Sequence, residues 1–370
     1  MHNHCITIKD IARELNVSVS TVSRAFRDAY DVSQETKQKV LSMAARLNYR
    51  PNFNAIGLVR NQTNHIAVML PSITNYYFST VITGIQEVAY SKGYNIVFYV
   101  TNDSPERELS ILENLSLTSI DGFLVCTTLN SDRCEHFRKI IDDGTPVVFF
   151  DRAAADIKTS KVMQDDYNGA FEAVKHLVDS GYEKIAHISG RKTLAITQNR
   201  TRGYLDALKK FKLPVREEWI TQSGFSQEDG ERDVYELLKC KIKPDAIFAI
   251  NDRKAIGAML SLKKLKIKIG EEMGVIGFTN DPVSGIISPG LTTIAVPALE
   301  VGSNSCELLL KHISKKHFEP RELILPGRLV VRESTIKKRK SVRIRSRIKK
   351  LTVDNQSVDA KVMAMPQRDI

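Results

Sequence analysis

Hydroxyl and guanidinium side chains cluster in residues 7–27, which read TIKDIARELNVSVSTVSRAFR. If a helix begins after Ser18, its outward face carries Val19, Ser20, Thr21, Ser23, Arg24 and Arg27. Small and hydroxylated side chains at the start of a helix suit entry into the major groove of DNA, and arginines bind phosphates. An ordinary solvated helical hairpin is the alternative that the pattern alone leaves open.

Two short helices are predicted to position this face. Their apolar residues fall at helical spacing: Ile8, Ile11, Ala12 and Leu15 in the first, and Val22, Ala25 and Phe26 in the second. Thr7 can cap the first helix, with Asp10 closing a capping box. Asn16 tolerates the left-handed conformation that a tight turn between helices needs.

A third helix is predicted from Ser33, its cap, to about Leu47. Its inward residues are Val40, Met43, Ala44 and Leu47. The run Asn48-Tyr49-Arg50-Pro51-Asn52 follows, in which Pro51 ends regular structure and Asn52 can cap a short new helix. The order of these segments, followed by Ala55 and Leu58, resembles the lactose-repressor (LacI/GalR) family of bacterial regulators. The likeness extends to about Lys337, which is about nine-tenths of the chain.

Individual DNA contacts can be assigned within this resemblance. We expect Val19 and Ser20 to read base edges, supported by Thr21 and Arg24, because Val19 can contact a thymine methyl and Ser20 can donate or accept a hydrogen bond. The expected phosphate contacts are Thr7, Ser18, Ser23, Arg27 and Asn52.

The segment after these helices resembles the family's hinge. The resemblance implies that hinge helices of two subunits pair in the minor groove, where Leu58 wedges into a base step and Ala55 allows close approach. Ile56 and Gly57 depart from the family pattern, and a glycine inside a helix costs about 1 kcal/mol relative to alanine. We therefore expect the hinge to become ordered only on DNA. A flexible linker is the alternative.

Length and composition indicate a globular protein of two or three domains, with 370 residues, 42% hydrophobic and 26% charged. The longest apolar runs are only strand-sized, so no membrane span is predicted. No secretory signal is apparent, which predicts a cytoplasmic protein. The five cysteines are scattered without a CxxC pair, so neither a disulfide framework nor a metal site is indicated.

Positive charge is concentrated at the two ends of the chain. Residues 1–60 carry nine Lys/Arg against five Asp/Glu, and residues 337–350 carry nine basic residues and no acidic one. The long middle is close to neutral at −1. Basic ends on a neutral body suit a polyanionic partner. Two roles are equally possible for the tail 337–370: it adds sequence-independent affinity for DNA, or it is a solvated disordered segment.

From Ile66 onward, apolar strands alternate with amphipathic helices, which predicts an α/β body of doubly wound parallel sheets. The resemblance implies a periplasmic-binding-protein-like pair of lobes that the chain crosses three times. The expected domains are a DNA-binding head (1–51), a hinge and linker (52–64) and an effector-binding and dimerisation body (65–336). Lobe 1 is expected at about 65–161 and 292–324, and lobe 2 at about 162–291 and 325–336.

Ligands of such sheets bind beyond the carboxyl ends of the strands, and the loops there contain aromatic, carboxylate, amide and guanidinium groups. This combination suits hydrogen bonds to sugar hydroxyls and stacking on a C–H face. The candidates are Tyr77, Phe78, Asp151, Arg152, Arg200, Asn251, Asp252 and Phe278. Structural roles are the alternative to effector binding: Asp252 would cap a helix, and Asp151 and Arg152 would form a local ion pair.

One loop departs from the family. Many sugar-sensing members have Asp-Asp after the strand that ends near Phe278, whereas this chain has Thr279-Asn280, with Asp281 one place later. The acidic clamp for hydroxyls is therefore expected to be weakened or shifted.

Two rival classes, a transport-type solute-binding protein and an enzyme, are weighed against a regulator. The first would carry a signal peptide and no DNA-binding head. No catalytic triad, metal-spaced histidine cluster or dinucleotide fingerprint occurs, and Ser189-Gly190-Arg191-Lys192-Thr193 lacks the upstream glycine of a phosphate loop. We therefore predict a repressor without catalytic, metal or cofactor sites, which binds a palindromic double-stranded operator as a homodimer and responds to a small carbohydrate-like effector.

Overall fold

The computed structural model describes residues 6–26, 29–49, 62–128, 134–154, 156–315 and 318–337. Near the N-terminus it contains helices α1 (Ile8–Glu14), α2 (Val19–Phe26) and α3 (Gln34–Arg46). These helices share a small core of buried residues: Ile11, Ala12, Val22, Ala25, Val32, Val40 and Ala44. The predicted three-helix arrangement and its inward faces are confirmed.

Local hydrogen bonds explain where these helices begin and turn. The Asp10 carboxylate accepts the Thr7 N–H at 2.8 Å and the Thr7 hydroxyl at 2.7 Å. Asn16 has φ of 50°, the left-handed conformation predicted for the turn. The Ser18 hydroxyl accepts the Thr21 N–H at 3.0 Å, which caps α2. Each of these residues plays the local structural role that its type predicts.

The first sheet of the body has six parallel strands, whose spatial order is β11-β5-β4-β3-β1-β2. They are β1 (His65–Leu70), β2 (Asn95–Val100), β3 (Gly122–Val125), β4 (Val147–Phe150), β5 (Lys161–Gln164) and β11 (Glu322–Leu325). Its helices are α4 (Tyr76–Ser91), α5 (Pro105–Asn114), α6 (Glu135–Asp142) and α12 (Ala298–Ser314). The central strands β1, β3 and β4 are almost wholly buried, as strands covered on both faces should be.

The second sheet repeats this plan in the order β12-β10-β9-β8-β6-β7, with β12 antiparallel at its edge. Its strands are β6 (Ile185–Ser189), β7 (Ile220–Gln222), β8 (Ala246–Ala249), β9 (Gly274–Thr279), β10 (Thr292–Ala295) and β12 (Arg328–Val330). The helices are α7 (Asp166–Asp179), α8 (Ala195–Lys210), α9 (Gln227–Lys239), α10 (Asp252–Lys264) and the short α11 (Val283–Ile286). Two doubly wound lobes result, as predicted.

The predicted positions of the crossings between the lobes need correction. Strand β5 pairs with β4 and β11 in the first sheet, although its residues 162–164 were expected in lobe 2. Strand β10 pairs with β9 in the second sheet, although residues 292–295 were expected in lobe 1. Strand pairing, which sequence does not specify for such short segments, decides membership. The crossings therefore lie between β5 and α7, between β10 and α12, and between β11 and β12.

In each lobe, two helices approach so closely at a glycine that their backbones are in contact. A Cβ atom on Gly302 of α12 would lie 2.0 Å from the carbonyl oxygen of Val81 on α4. In the second lobe, a Cβ on Gly257 of α10 would lie 1.9 Å from the carbonyl oxygen of Gln227 on α9. Real Cβ contacts are never this short, so both helix pairs depend on glycine at these positions.

None of the helices in the described ranges is long and apolar enough to cross a membrane. Within the same ranges, Cys126, Cys134, Cys240 and Cys306 are free thiols, and the first, second and fourth are buried.

Candidate DNA-binding helix and inter-lobe effector cleft

The outward face of α2 presents the predicted base-reading residues. Val19 is 41% exposed and Ser20 is also exposed, while Thr21 and Ser23 are half-buried. The Ser18 hydroxyl lies 2.7 Å from the Ser20 hydroxyl and 2.8 Å from that of Thr21. A row of linked hydroxyls therefore lies at the N-terminal end of the helix, where backbone N–H groups also favour phosphate.

Arg24, which is predicted to support base reading, is paired with Asp31. Its Nη1 donates to the Asp31 carboxylate at 2.8 Å, in an ion pair exposed to solvent. Exposed pairs of this kind contribute little to stability, so the guanidinium can exchange this partner for a phosphate or a base. The other predicted contacts Arg27, Asn52, Ala55 and Leu58 lie outside the described residues.

Two adjoining cavities lie between the lobes. We call the smaller, of about 90 Å³, the inner chamber; it is lined by Asn75, Tyr77, Phe78, Asp151, Arg152, Gln164, Ile196, Arg200, Phe225, Asn251, Arg253, Thr279 and Asp281. The larger, of about 610 Å³, is the outer chamber, and its walls come mainly from residues 151–156, 163–168 and 193–202. Asp151, Arg152, Gln164 and Ile196 line both chambers and so form the partition between them.

Asp151 and Arg152 are positioned by buried hydrogen bonds at the end of β4. Asp151 has φ of 60°, and its carboxylate accepts the Gln164 side-chain amide at 3.1 Å. Arg152 donates from Nη1 to Asp103 at 2.6 Å, whereas its Nε lies 3.8 Å from the Asp151 carboxylate. Burial alone would lower the pKa of Arg152, but the neighbouring anionic groups, including Asp151 and Asp103, raise it above its ordinary value. The main ion pair of Arg152 is thus with Asp103.

Arg200 of α8 is 1% exposed and reaches the inner chamber from the second lobe. Its Nε donates to Asp166 at 2.8 Å, its Nη1 donates to the Ile250 carbonyl, and its guanidinium carbon lies 3.7 Å from the centre of the Phe278 ring. Burial raises the pKa of Asp166 to about 6, although Arg200 acts in the opposite direction. These contacts hold the guanidinium in one orientation.

Aromatic side chains from both lobes line the inner chamber. Tyr77 and Phe78 are in edge-to-face contact, with ring centroids 5.2 Å apart. Burial, together with the Asp151 charge, raises the pKa of Tyr77 well above its ordinary value, so its hydroxyl stays protonated. Phe225, which the sequence analysis missed, faces them from the loop after β7. The sequence did contain a signal for it: Phe225 is an aromatic residue two places beyond Ser223, in a loop that contains a glycine.

Two predicted effector contacts are wrong. Asp252 is fully buried and accepts three hydrogen bonds, from the Thr293 hydroxyl at 2.6 Å, the Asp281 N–H at 2.7 Å and the Ser284 hydroxyl at 2.8 Å. Phe278 is 1% exposed and supports Arg200 from behind. Neither lines either chamber, because their side chains point into the second lobe.

Asn251 lines the inner chamber, but it also has a structural role. Its side-chain oxygen caps α10 by accepting the Lys254 N–H at 2.8 Å, and its amide donates to the Phe225 carbonyl at 3.1 Å. The helix cap is therefore Asn251, and not Asp252, the residue considered for it.

The loop after β9 has an unusual backbone. Thr279 has φ of 119° and Asn280 has φ of 58°, values that non-glycine residues rarely adopt. Arg332 holds the loop by donating to the Asn280 side-chain oxygen at 2.8 Å. The loop brings Asp281 to the wall of the inner chamber, where its Oδ1 accepts the Val283 N–H at 3.0 Å. An acidic group is therefore present at this wall.

Four buried polar atoms of inner-chamber residues lack a hydrogen-bond partner among the described residues. They are the Tyr77 hydroxyl, Arg152 Nε, Arg200 Nη2 and Gln164 Oε1. Arg200 Nη2 is nevertheless 2.8 Å from the Asp166 carboxylate, at ion-pair distance. Buried polar groups in proteins nearly always form hydrogen bonds, and leaving one without a partner costs about 1–3 kcal/mol of stability. Three donors and one acceptor thus belong to residues that line one small cavity.

Comparisons with known proteins agree with this architecture. Residues 7–52 match the family model of bacterial regulatory proteins of the lacI family. Residues 63–333 match the model described as periplasmic binding proteins and sugar binding domain of the LacI family. The HTH-type transcriptional repressor PurR of Vibrio vulnificus (strain CMCP6) is 33% identical over 334 residues, covering 90% of this chain and 99% of that protein.

Solved structures show the same fold. A lac repressor dimer bound to operator and the anti-inducer ONPF superposes with a TM-score of 0.79 at 24% identity, covering 90% of this chain and 99% of that one. A LacI-family regulator from Enterococcus faecium with bound ribose has a TM-score of 0.66 at 27% identity, covering 74% of this chain and 100% of that one.

The head of three helices and the two-lobed body with a cleft define a DNA-binding transcription regulator with a small-molecule-binding domain. The chain belongs to the LacI family of bacterial regulatory proteins. The PurR relative is a transcriptional repressor, and membership of this family of regulators rules out the two rival classes, an enzyme and a transport protein.

Proposed function

We propose that this protein is a cytoplasmic repressor that binds a palindromic operator as a homodimer, and that a small carbohydrate-like effector in the inter-lobe cleft changes its affinity for that operator. The observation that carries the effector part is the presence, among the residues lining the inner chamber, of four unsatisfied polar atoms, from Tyr77, Arg152, Arg200 and Gln164. A bound ligand would satisfy these atoms.

The chemistry of the inner chamber favours an uncharged, hydroxyl-rich ligand. Two of the three arginines that line it, Arg152 and Arg200, are already paired with Asp103 and Asp166, so neither of these guanidinium groups demands an anionic ligand; Arg253 is the third arginine. A sugar hydroxyl both donates and accepts, which suits three donors beside one acceptor. Phe78 and Phe225 offer apolar surfaces for C–H groups. The relative from Enterococcus faecium holds ribose, which is consistent with this class.

Effector binding is expected to be coupled to DNA binding because the cleft walls come from both lobes. A ligand that contacts Asp151 in one lobe and Arg200 in the other favours the arrangement in which both are within reach. Such coupling is typically about 1–3 kcal/mol. In this proposal, residues 1–51 form the DNA-binding head, residues 52–64 are the hinge that relays the change, and residues 65–336 are the effector-binding and dimerisation body.

On DNA, we assign base reading to Val19 and Ser20, which lie on the outward N-terminal part of α2, and a supporting role to Thr21 beside them and to the exposed Arg24 in the last turn of the helix. Phosphate contacts are assigned to Thr7, Ser18 and Ser23, and to Arg27 and Asn52 outside the described residues. Ala55 and Leu58 are assigned to the minor groove.

The large apolar side chains exposed on the body support the proposed dimer. Tyr76 and Phe98 in the first lobe are 47% and 40% exposed, and Val283 and Ile286 in the second are 45% and 81% exposed. Large exposed apolar side chains in a monomer are frequently covered by a partner subunit. A symmetric dimer would also place two heads on the two halves of a palindrome.

The test is selection of genomic binding sites by the purified full-length protein, with and without a panel of sugars and sugar phosphates. A variant with the Ser20→Ala and Arg24→Ala substitutions serves as the control for specific reading. A palindromic site that is gained or lost with one sugar supports the proposal. Specific sites unmoved by every ligand refute the effector assignment, and the absence of any specific site refutes the assignment of α2.

A further inference from the structure

The two chambers differ so much in size that one compact ring does not account for both. Ligand sites in proteins usually measure about 300–1,000 Å³. The inner chamber, at about 90 Å³, is well below that range, and the outer chamber, at about 610 Å³, lies within it. A ligand confined to the inner chamber would leave the larger cavity beside it unused.

The partition between the chambers is formed by both lobes. Asp151, Arg152 and Gln164 belong to the first lobe and Ile196 belongs to α8 of the second. Because residues of both lobes form the partition, a movement of one lobe relative to the other changes the spacing between Ile196 and the other three residues and leaves the hydrogen bond between Gln164 and Asp151 intact. The unsatisfied Gln164 Oε1 and Arg152 Nε lie on this partition, where a ligand passing through would meet them.

The wall of the outer chamber combines apolar and polar groups. Its α8 residues Gln198 and Asn199 carry amides, and Asn168 carries a third from α7, although the amide nitrogens of Gln198 and Asn168 already donate to the Lys192 carbonyl and to Asp165. Among its acids, Asp156 is paired with Arg138, and Asp165 caps α7 by accepting the Asn168 N–H. The wall also contains the exposed guanidinium of Arg202, which lies over the Tyr167 ring. Amide and guanidinium groups bind hydroxyls, and the apolar part of the wall can pack against C–H groups.

We infer that the effector is a carbohydrate of at least two units, with one ring in the inner chamber and a second hydroxyl-rich unit in the outer chamber, across the partition of Gln164 and Ile196. This inference rests on the proposed effector function and specifies the size of its ligand. Affinity for a disaccharide is then expected to exceed that for its component monosaccharides by at least about tenfold, since a second set of hydrogen bonds forms.

The test is calorimetric titration of the full-length protein with cellobiose, maltose, lactose, sucrose and trehalose, and with glucose, galactose and fructose. Asn199→Trp fills part of the outer chamber, and we expect it to weaken binding of the preferred disaccharide at least tenfold while leaving monosaccharide affinity unchanged. Lys209→Trp, an exposed position on the same helix, is the matched control. Thermal unfolding without ligand confirms that both variants fold.

A monosaccharide that binds as tightly as every disaccharide overturns the two-unit inference and leaves the proposed regulator intact. Equal loss of both ligand classes in Asn199→Trp overturns it as well, because the outer chamber would then not be a separate subsite. If none of the eight sugars binds while the protein still selects a specific operator, the carbohydrate assignment itself fails. Loss of operator selection is a distinct result, which refutes the DNA-binding part of the proposed function.

Discussion

Replacing Asp252 with asparagine tests how a buried carboxylate acts on stability. Burial raises the pKa of Asp252 from 3.8 to about 6, against the opposing hydrogen bonds from Thr293 and Ser284. Because the folded protein keeps this proton at pH values where the unfolded chain has lost it, the contribution of Asp252 to stability is greatest at low pH. Stability is therefore lost as the pH rises from about 4 to about 6, and no further change from this group follows above that range.

The size of the effect follows from the pKa difference. A shift of about two units corresponds to about 3 kcal/mol over the whole window, of which about 2 kcal/mol falls between pH 4.5 and pH 7. Asp252→Asn keeps the shape and an acceptor but removes the charge, so this part of the pH dependence disappears. The variant should gain about 2 kcal/mol relative to the wild type as the pH is raised across that interval.

The assay is urea denaturation of both proteins at pH 4.5, 5.5, 6.5 and 7. The pKa of Asp166 is also raised, but Asp166 is present in both proteins, so its contribution cancels in the difference. Asp252→Ala is the control: it removes every acceptor, leaves the Asp281 N–H and two hydroxyls unsatisfied, and should destabilise the protein by about 3 kcal/mol or more at pH 7. A difference between Asp252→Asn and the wild type that does not change with pH would refute the reasoning.

Three further predictions concern packing, DNA recognition and assembly. Gly302→Ala places a methyl group against the Val81 carbonyl and should destabilise the protein by at least about 2 kcal/mol in urea denaturation; Gly285→Ala, whose Cβ would have 3.7 Å of clearance, should not. Val19→Ala should change the preferred operator in a library selection while total DNA affinity at low salt is retained, and an unaltered preference would contradict the assignment of this residue. Ile286→Asp should give a monomer in sedimentation, because it places a charge on the most exposed apolar side chain of α11. A dimer that survives it excludes this helix from the subunit interface.

Much of the fold could be predicted because the sequence pattern is local. The caps at Thr7 and Ser33, the left-handed Asn16 and the apolar faces of three helices each depend on neighbours within a few residues. The buried parallel strands are continuous apolar runs. The crossings could not be placed, because β5 and β10 have only four residues each and their membership depends on pairing with distant strands.

The position of a side chain in the cleft was predictable where its residue type is one that commonly binds ligands, as for Tyr77, Asp151 and Arg200. It was not predictable where burial and distant partners decide. Asp252 looks like a ligand group in sequence, but its partner Thr293 lies 41 residues away and closes it off from the cleft. Gln164 was missed because β5 has only four residues and was not recognised as a strand, so its last residue was not placed at the carboxyl edge of the sheet.

The shortness of the crossing segments determines how the cleft can open. Only Asp165, Val296-Pro297 and Pro326-Gly327 separate the elements of one lobe from those of the other. Links this short allow one lobe to rotate relative to the other, but they do not allow the two lobes to separate. Strand β7 lies four strands from β10, on the order of 19 Å away, so a rotation of about 10° moves its end by about 3 Å while positions beside the links barely move. Both chambers have a wall beside the links, at Gln164, whereas only the inner chamber also reaches Phe225 after β7. The same rotation therefore changes the inner chamber most at its Phe225 wall and least at its Gln164 wall.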